Sequence, residues 1–175
     1  MEAILKVFGE KSYFAIQCKV ENKEGKNIFG EIIIWINNLK MGDEKIYELL
    51  NGPTFITLKE VFNTTIFPNG ELFTGMDTEE ILFTVMDALY GDQDIDARSI
   101  QELDNKVKLY NKFNLFPDGS NTFDHIQAVL FERDKKIIVI WKDINYQFIN
   151  SFLFEENKLK VVIKEYINFI ENLEE

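Results

Sequence analysis

A chain of 175 residues, 46% of them apolar, has the length and the apolar content of one domain with a real core, read here as residues 1–175. Its net charge of −11 sets like-charge repulsion against nucleic acid and against anionic membranes as direct partners. The single cysteine, Cys18, excludes an internal disulfide, and no apolar run approaches the roughly 18 residues of a membrane span. Met1-Glu2-Ala3 opens without a basic, then apolar leader, so the expected location is cytoplasmic. Asn63-Thr64-Thr65 matches a glycosylation sequon, which reads as chance without a secretory signal.

Residues Tyr13 to Val20 alternate, with Phe14, Ile16, Cys18 and Val20 on one face and Gln17 and Lys19 on the other, which predicts a half-buried strand. Glu21 to Lys26 is polar, contains Gly25 and reads as a hairpin loop. Ile28 to Ile36 is a β-branched and aromatic run, predicted to be a central strand covered on both faces. It stops at Asn37-Asn38, a pair that tolerates the left-handed backbone of a tight turn. Glu44 to Leu50 and Thr57 to Phe62 are short and lean towards one or two helical turns each.

Asp77 to Tyr90 is the clearest early helix. Asp77 and Glu80 have capping-box spacing; Ile81, Leu82, Val85 and Leu89 form the apolar stripe, and Gly91 is the stop. Gln93 to Asp104 is acidic without a period, Lys106 to Leu115 leans towards a strand, and Pro117-Asp118-Gly119-Ser120 is a turn. Ile126 to Glu132 and Ile137 to Trp141 flank Arg133 to Lys136 as a hairpin, and Phe152 to Phe154 is one further short strand. From about Asn157 the spacing becomes helical through Leu159, Val162, Ile163, Tyr166, Ile170 and Leu173. Strands paired as hairpins, with helices between and after them, predict an α+β fold. Its sheet is mainly antiparallel, with a mid-chain helix and a C-terminal helix packed on it.

Residues able to carry chemistry are few. His125 is the only histidine, so a Cys–His or Ser–His pair must use it, and Cys18 lies on the apolar face of its strand as core filler. A Cys and His zinc site lacks ligands, no phosphate-binding loop is present, and no cofactor is expected. Asp92-Gln93-Asp94-Ile95-Asp96 resembles the opening of a calcium loop. Ala97 then stands where the turn needs Gly, and Leu103 where a bidentate Glu is needed. Trp35 and Trp141 sit inside strand runs and read as core or sheet-face residues.

The charge is unevenly spread. From Glu71 to Asp104 there are ten acids: Glu71, Asp77, Glu79, Glu80, Asp87, Asp92, Asp94, Asp96, Glu102 and Asp104. With Arg98 as the one base, the segment carries −9 of the total −11. The helix dipole accounts for acids at a helix start, Asp77, Glu79 and Glu80, but not for the five from Asp92 to Asp104. Two readings stand: a solvated face, or a patch that speeds encounter with a basic partner.

Two stretches carry a family resemblance. One runs from Phe14-Ala15-Ile16 to Gly30-Glu31-Ile32-Ile33-Ile34-Trp35-Ile36-Asn37. The other runs from Phe123-Asp124 through Leu130-Phe131-Glu132 to Ile138-Val139-Ile140-Trp141 and into the C-terminal helix. Together they resemble family 42 of the bacterial immunity proteins, small cytosolic antidotes encoded beside polymorphic toxins. In that family an early strand ends in Trp-Ile-Asn-Gly, and a Phe-Asp hairpin and a strand ending in Ile-Trp come late. Here Asn38 replaces the Gly, and Ile126 stands where an aromatic is usual.

The resemblance implies a protein that binds a cognate toxin domain and blocks it by occlusion, with no catalysis of its own. The expected contact residues are Glu71, Asp77, Glu79, Glu80, Asp92, Asp94, Asp96, Glu102 and Asp104, facing a toxin that a basic nuclease would suit. Exposed aromatics are compatible with a homodimer. The rival readings are a carboxylate-based, metal-assisted hydrolase, which needs a deep pocket with convergent acids, and an acidic nucleic-acid mimic, which needs evenly spaced carboxylates over an extended face.

Overall fold

The computed structural model describes residues 2–91, 100–116 and 120–174, and for 100–103 the backbone alone. Strands β1 (Ile4–Glu10), β2 (Phe14–Glu24), β3 (Asn27–Ile36) and β4 (Leu39–Met41) form one antiparallel sheet in the order β1-β2-β3-β4. A two-residue strand, β5 (Glu48–Leu49), pairs with the opposite end of β3. Three helices follow: α1 (Pro53–Asn63), α2 (Thr78–Tyr90) and α3 (Ile100–Asn111). Strands β6 (Ile126–Arg133), β7 (Lys136–Asp143) and β8 (Ile149–Phe154) form a second antiparallel sheet, and α4 (Glu156–Glu174) closes the chain. The fold is α+β, as its sequence pattern predicts, with the strands divided between two sheets.

The core follows from the alternation of β2. Phe14, Ile16, Cys18 and Val20 are buried on one face, with Ile28, Ile32, Ile34 and Ile36 of β3 beside them. Helix α4 lays Leu159, Val162, Ile163, Tyr166 and Ile170 against that face, and Ala128, Leu130, Val139 and Trp141 of the second sheet close it. The other face of β6 and β7 carries Val129, Phe131 and Ile140. These are buried in a second cluster by Ile81, Leu82, Val85 and Met86 of α2, with Phe73 and Phe113. Hence the continuous apolar runs in β6 and β7: each is covered on both sides.

Local chemistry sets the turns. Asn37 and Asn38 have φ of 50° and 63°, and Asp134 and Lys135 have φ of 52° and 60°, so two-residue turns close both hairpins. Polar bonds secure the β5 corner. The Glu48 carboxylate accepts from the Thr54 and Ser120 hydroxyls, each at 3.1 Å, and the Tyr166 hydroxyl donates to the Leu50 carbonyl at 2.9 Å.

Three sequence expectations are corrected, and one strand goes unpredicted. Glu21–Lys26 is not a loop: β2 runs to Glu24 and only Gly25 and Lys26 turn. Glu44–Leu50 is not helical, because pairing of Glu48 and Leu49 with Gly30 and Phe29 outweighs its weak local preference. Lys106–Leu115 is not a strand: α3 runs to Asn111, and only the tail meets β6, where Leu115 N–H donates to the Ala128 carbonyl at 2.9 Å. Strand β1 escapes sequence reading because apolar residues occupy both parities, with Ile4 and Phe8 turned inward and Leu5 and Val7 exposed. The turn at Pro117-Asp118-Gly119 lies outside the described residues.

Gly30 is a point of close approach. It pairs with Val20 beside a bulge in β2, and a methyl group there would run into the Lys19 carbonyl oxygen. Gly30→Ala is expected to lose about 2–3 kcal/mol or more of stability by urea titration, as overpacked sites do. Alkali should act on the core as well. Burial pushes the Cys18 thiol from 9.0 up to about 12 and raises the Tyr166 hydroxyl well above its usual range. Unfolded chain ionises these groups first. Their contribution is therefore whole below the unfolded thiol value of 9.0 and, for Cys18, fades as pH rises towards about 12. The urea midpoint should fall across that range, and less steeply in Cys18→Ala.

Candidate functional site

Asn69 opens a 3-10 turn, Gly70–Phe73, by accepting from the Glu71 N–H at 2.9 Å. Phe73 is fully buried against the rings of Phe113 and Phe131, at 4.9 and 5.2 Å, and this turns Glu71 outward. Arg133 locks the turn by donating to the Phe73 carbonyl at 3.0 Å and to that of Gly70 at 3.4 Å. Helix α2 then starts with the expected capping box. Glu80 N–H donates to Asp77 Oδ1 and Asp77 N–H to Glu80 Oε2, both at 2.9 Å. Those two carboxylates thus hold the helix start, while Glu79 in the same turn faces solvent.

The apolar side of α2 is buried under the second sheet, so its carboxylates point out. Glu71, Asp77, Glu79, Glu80 and Asp87 are all exposed, and residues 71–91 contain no Lys, Arg or His. Helix α3 packs beside α2 and returns some positive charge. Lys106 lies 3.7 Å from Asp87, and Lys108 lies 3.8 Å from Asp104, which is exposed. Exposed pairs of this kind contribute little to stability. Of the other sequence candidates, Asp92, Asp94 and Asp96 lie outside the described residues, as does the calcium-like loop, and the Glu102 side chain is not described.

An open cleft of about 540 Å³ adjoins this face, lined by Glu71, Glu132, Arg133 and Asp134 with Ile66 and Phe67. Among the described residues no three His, Cys, Asp or Glu side chains are grouped so as to hold a metal ion.

The residues singled out for nucleophilic chemistry are placed apart. Cys18 is sealed in the core of the first sheet. His125 precedes β6 in the second sheet, with Nε2 at 3.6 Å from Asp143 Oδ2. Trp141 is buried in the main core. Trp35 lies on the outer face of the first sheet with Lys11 Nζ 4.0 Å above its ring, and its buried indole N–H lacks an acceptor among the described residues.

Near the candidate site, sequence reading missed one feature. The loop between β7 and β8 exposes Ile144 (56%), Tyr146 (66%) and Phe148 (79%) within five residues. Apolar side chains there alternate with Asn145 and Gln147, which imitates a strand, so the available signal pointed to the wrong kind of element.

With this geometry established, comparison places the chain among known proteins. The family model "Immunity protein 42" matches residues 4–169. A solved structure of CdiI from Burkholderia dolosa AUO158 superposes with a TM-score of 0.65 over 94% of this chain and 99% of the other, at 12% sequence identity. That likeness is one of fold. No curated protein matches. The family match spans nearly the whole chain and includes both stretches that carry the resemblance, so the chain belongs to the immunity protein 42 family, whose members neutralise toxins.

Proposed function

We propose that the chain, acting as a single unit in the cytoplasm, neutralises its cognate toxin domain by covering it in a stoichiometric complex, with no chemistry of its own. The observation that carries this reading is the outward face of the Gly70–Phe73 turn and α2. Its carboxylates are exposed, the stretch holds no cation, and burial of the opposite side prevents the helix from turning them away. Such a face attracts a basic surface over several ångströms and discriminates against acidic ones. The proposed contacts are Glu71, Asp77, Glu79, Glu80 and Asp104, with Asp92, Asp94, Asp96 and Glu102 from the connected acidic segment. A cationic toxin domain, such as a nuclease that must itself bind phosphate, is the partner that this charge suits.

Association kinetics with the toxin domain encoded beside this gene test the reading. Glu71→Lys with Glu79→Lys avoids the capping pair and is expected to slow association about tenfold at low salt and little at about 0.5 M salt. Reversing two of Asp92, Asp94 and Asp96 to Lys should act the same way and weaken protection in co-expressing cells. Association rates that do not change at low salt would remove the acidic face from the interface.

A further inference from the structure

We propose that the β7–β8 loop, residues 144–148, is the apolar anchor that holds the toxin domain once it has docked; this rests on the reading that the chain works by binding a toxin. Loops are ordinarily polar, and large apolar side chains on monomers are scattered singly. Here Ile144, Tyr146 and Phe148 are exposed on one short loop, and each adjoins a cleft. Ile144 lines a cleft of about 360 Å³ with Met86 and Tyr90 of α2 and with Asp124. Tyr146 and Phe148 line a second, of about 270 Å³, with Leu39 and Asp143. Ile126 contributes to both clefts, and the first also borders the C-terminal end of α2.

The loop is also held in place. Ile144 N–H donates to the His125 carbonyl at 2.8 Å, and Tyr146 N–H to the Asp143 carbonyl at 2.9 Å. Asn145 N–H donates to Asp143 Oδ1 at 2.9 Å. A loop backbone held before binding loses less freedom on binding, which suits an anchor.

Charge selects the occupant. Asp124 stands at the first cleft with Asp87 on the adjoining turn of α2, and the second cleft carries Asp143 together with Lys40. A second copy of this chain would bring −11 against −11 and set these carboxylates against acidic surface. A basic toxin face meets the carboxylates with Lys or Arg and seats an apolar side chain in the clefts. The two features then divide the work: carboxylates govern the association rate, and the anchor governs dissociation.

The test compares the wild type with Tyr146→Ser/Phe148→Ser in dissociation kinetics with the toxin domain, alongside Leu5→Ser/Val7→Ser on β1 as an exposed apolar control. The anchor variant is expected to dissociate about 100-fold faster, to associate within about threefold of wild type, and to keep its melting temperature, while the control matches wild type. A complex lifetime unchanged by the anchor variant, with wild type binding tightly, overturns the anchor alone. Wild type that fails to bind the toxin domain overturns the parent reading and the anchor with it. Light scattering that shows a wild-type dimer converted to monomer by the anchor variant assigns the surface to a second copy and also overturns it. If the double variant misfolds, Phe148→Ser alone replaces it, with a rise of about tenfold expected and no rise overturning the assignment.

Discussion

Val129, Phe131 and Ile140 point away from the main core, and something must cover them. This constraint orders the rest of the molecule. Helix α2 supplies the cover with Ile81, Leu82, Val85 and Met86, and Phe73 and Phe113 complete it. Burying three or more large apolar side chains contributes several kcal/mol, at about 1.5–3 kcal/mol each. That is far more than repulsion among a few solvated carboxylates costs. The helix therefore cannot rotate to bury its acids or expose its apolar stripe. An acidic outer face is the consequence of an apolar inner one.

The same packing puts electrostatics and apolar contact side by side. Tyr90 and Met86, near the end of α2, border the cleft that Ile144 enters from the β7–β8 loop, and Lys142 lies 5.4 Å from the Phe83 ring between the two elements. A protein that must capture a toxin quickly and then not release it needs both a long-range attraction and a short-range grip, and no single kind of side chain supplies both. The likeness to CdiI at 12% identity shows that this fold accommodates very different side chains.

Much of the architecture is legible in the residues. The alternation of Phe14, Ile16, Cys18 and Val20 marks the core face of β2, and the spacing of Leu159, Val162, Ile163, Tyr166 and Ile170 marks the buried side of α4. Asp77 and Glu80 mark the start of α2 three residues apart, and they form both bonds of the capping box. Each of these signals is local, because a period or a cap needs only neighbouring residues. Where a segment depends on distant partners, local signals fail. Glu48 and Leu49 become a strand only because β3 offers an edge, and the mixed parity of β1 makes sense only beside β2.

By itself the sequence determined the α+β class, the central strand, the caps, the concentration of negative charge and, through its resemblance, the family. Tertiary structure alone decided that the strands divide into two sheets and that the α2 carboxylates all face outward. It alone decided that Ile144, Tyr146 and Phe148 stand in solvent rather than in a strand. The reason is that periodicity reports which residues share a face. Which face is covered depends on elements far along the chain, and exposure is a property of that covering.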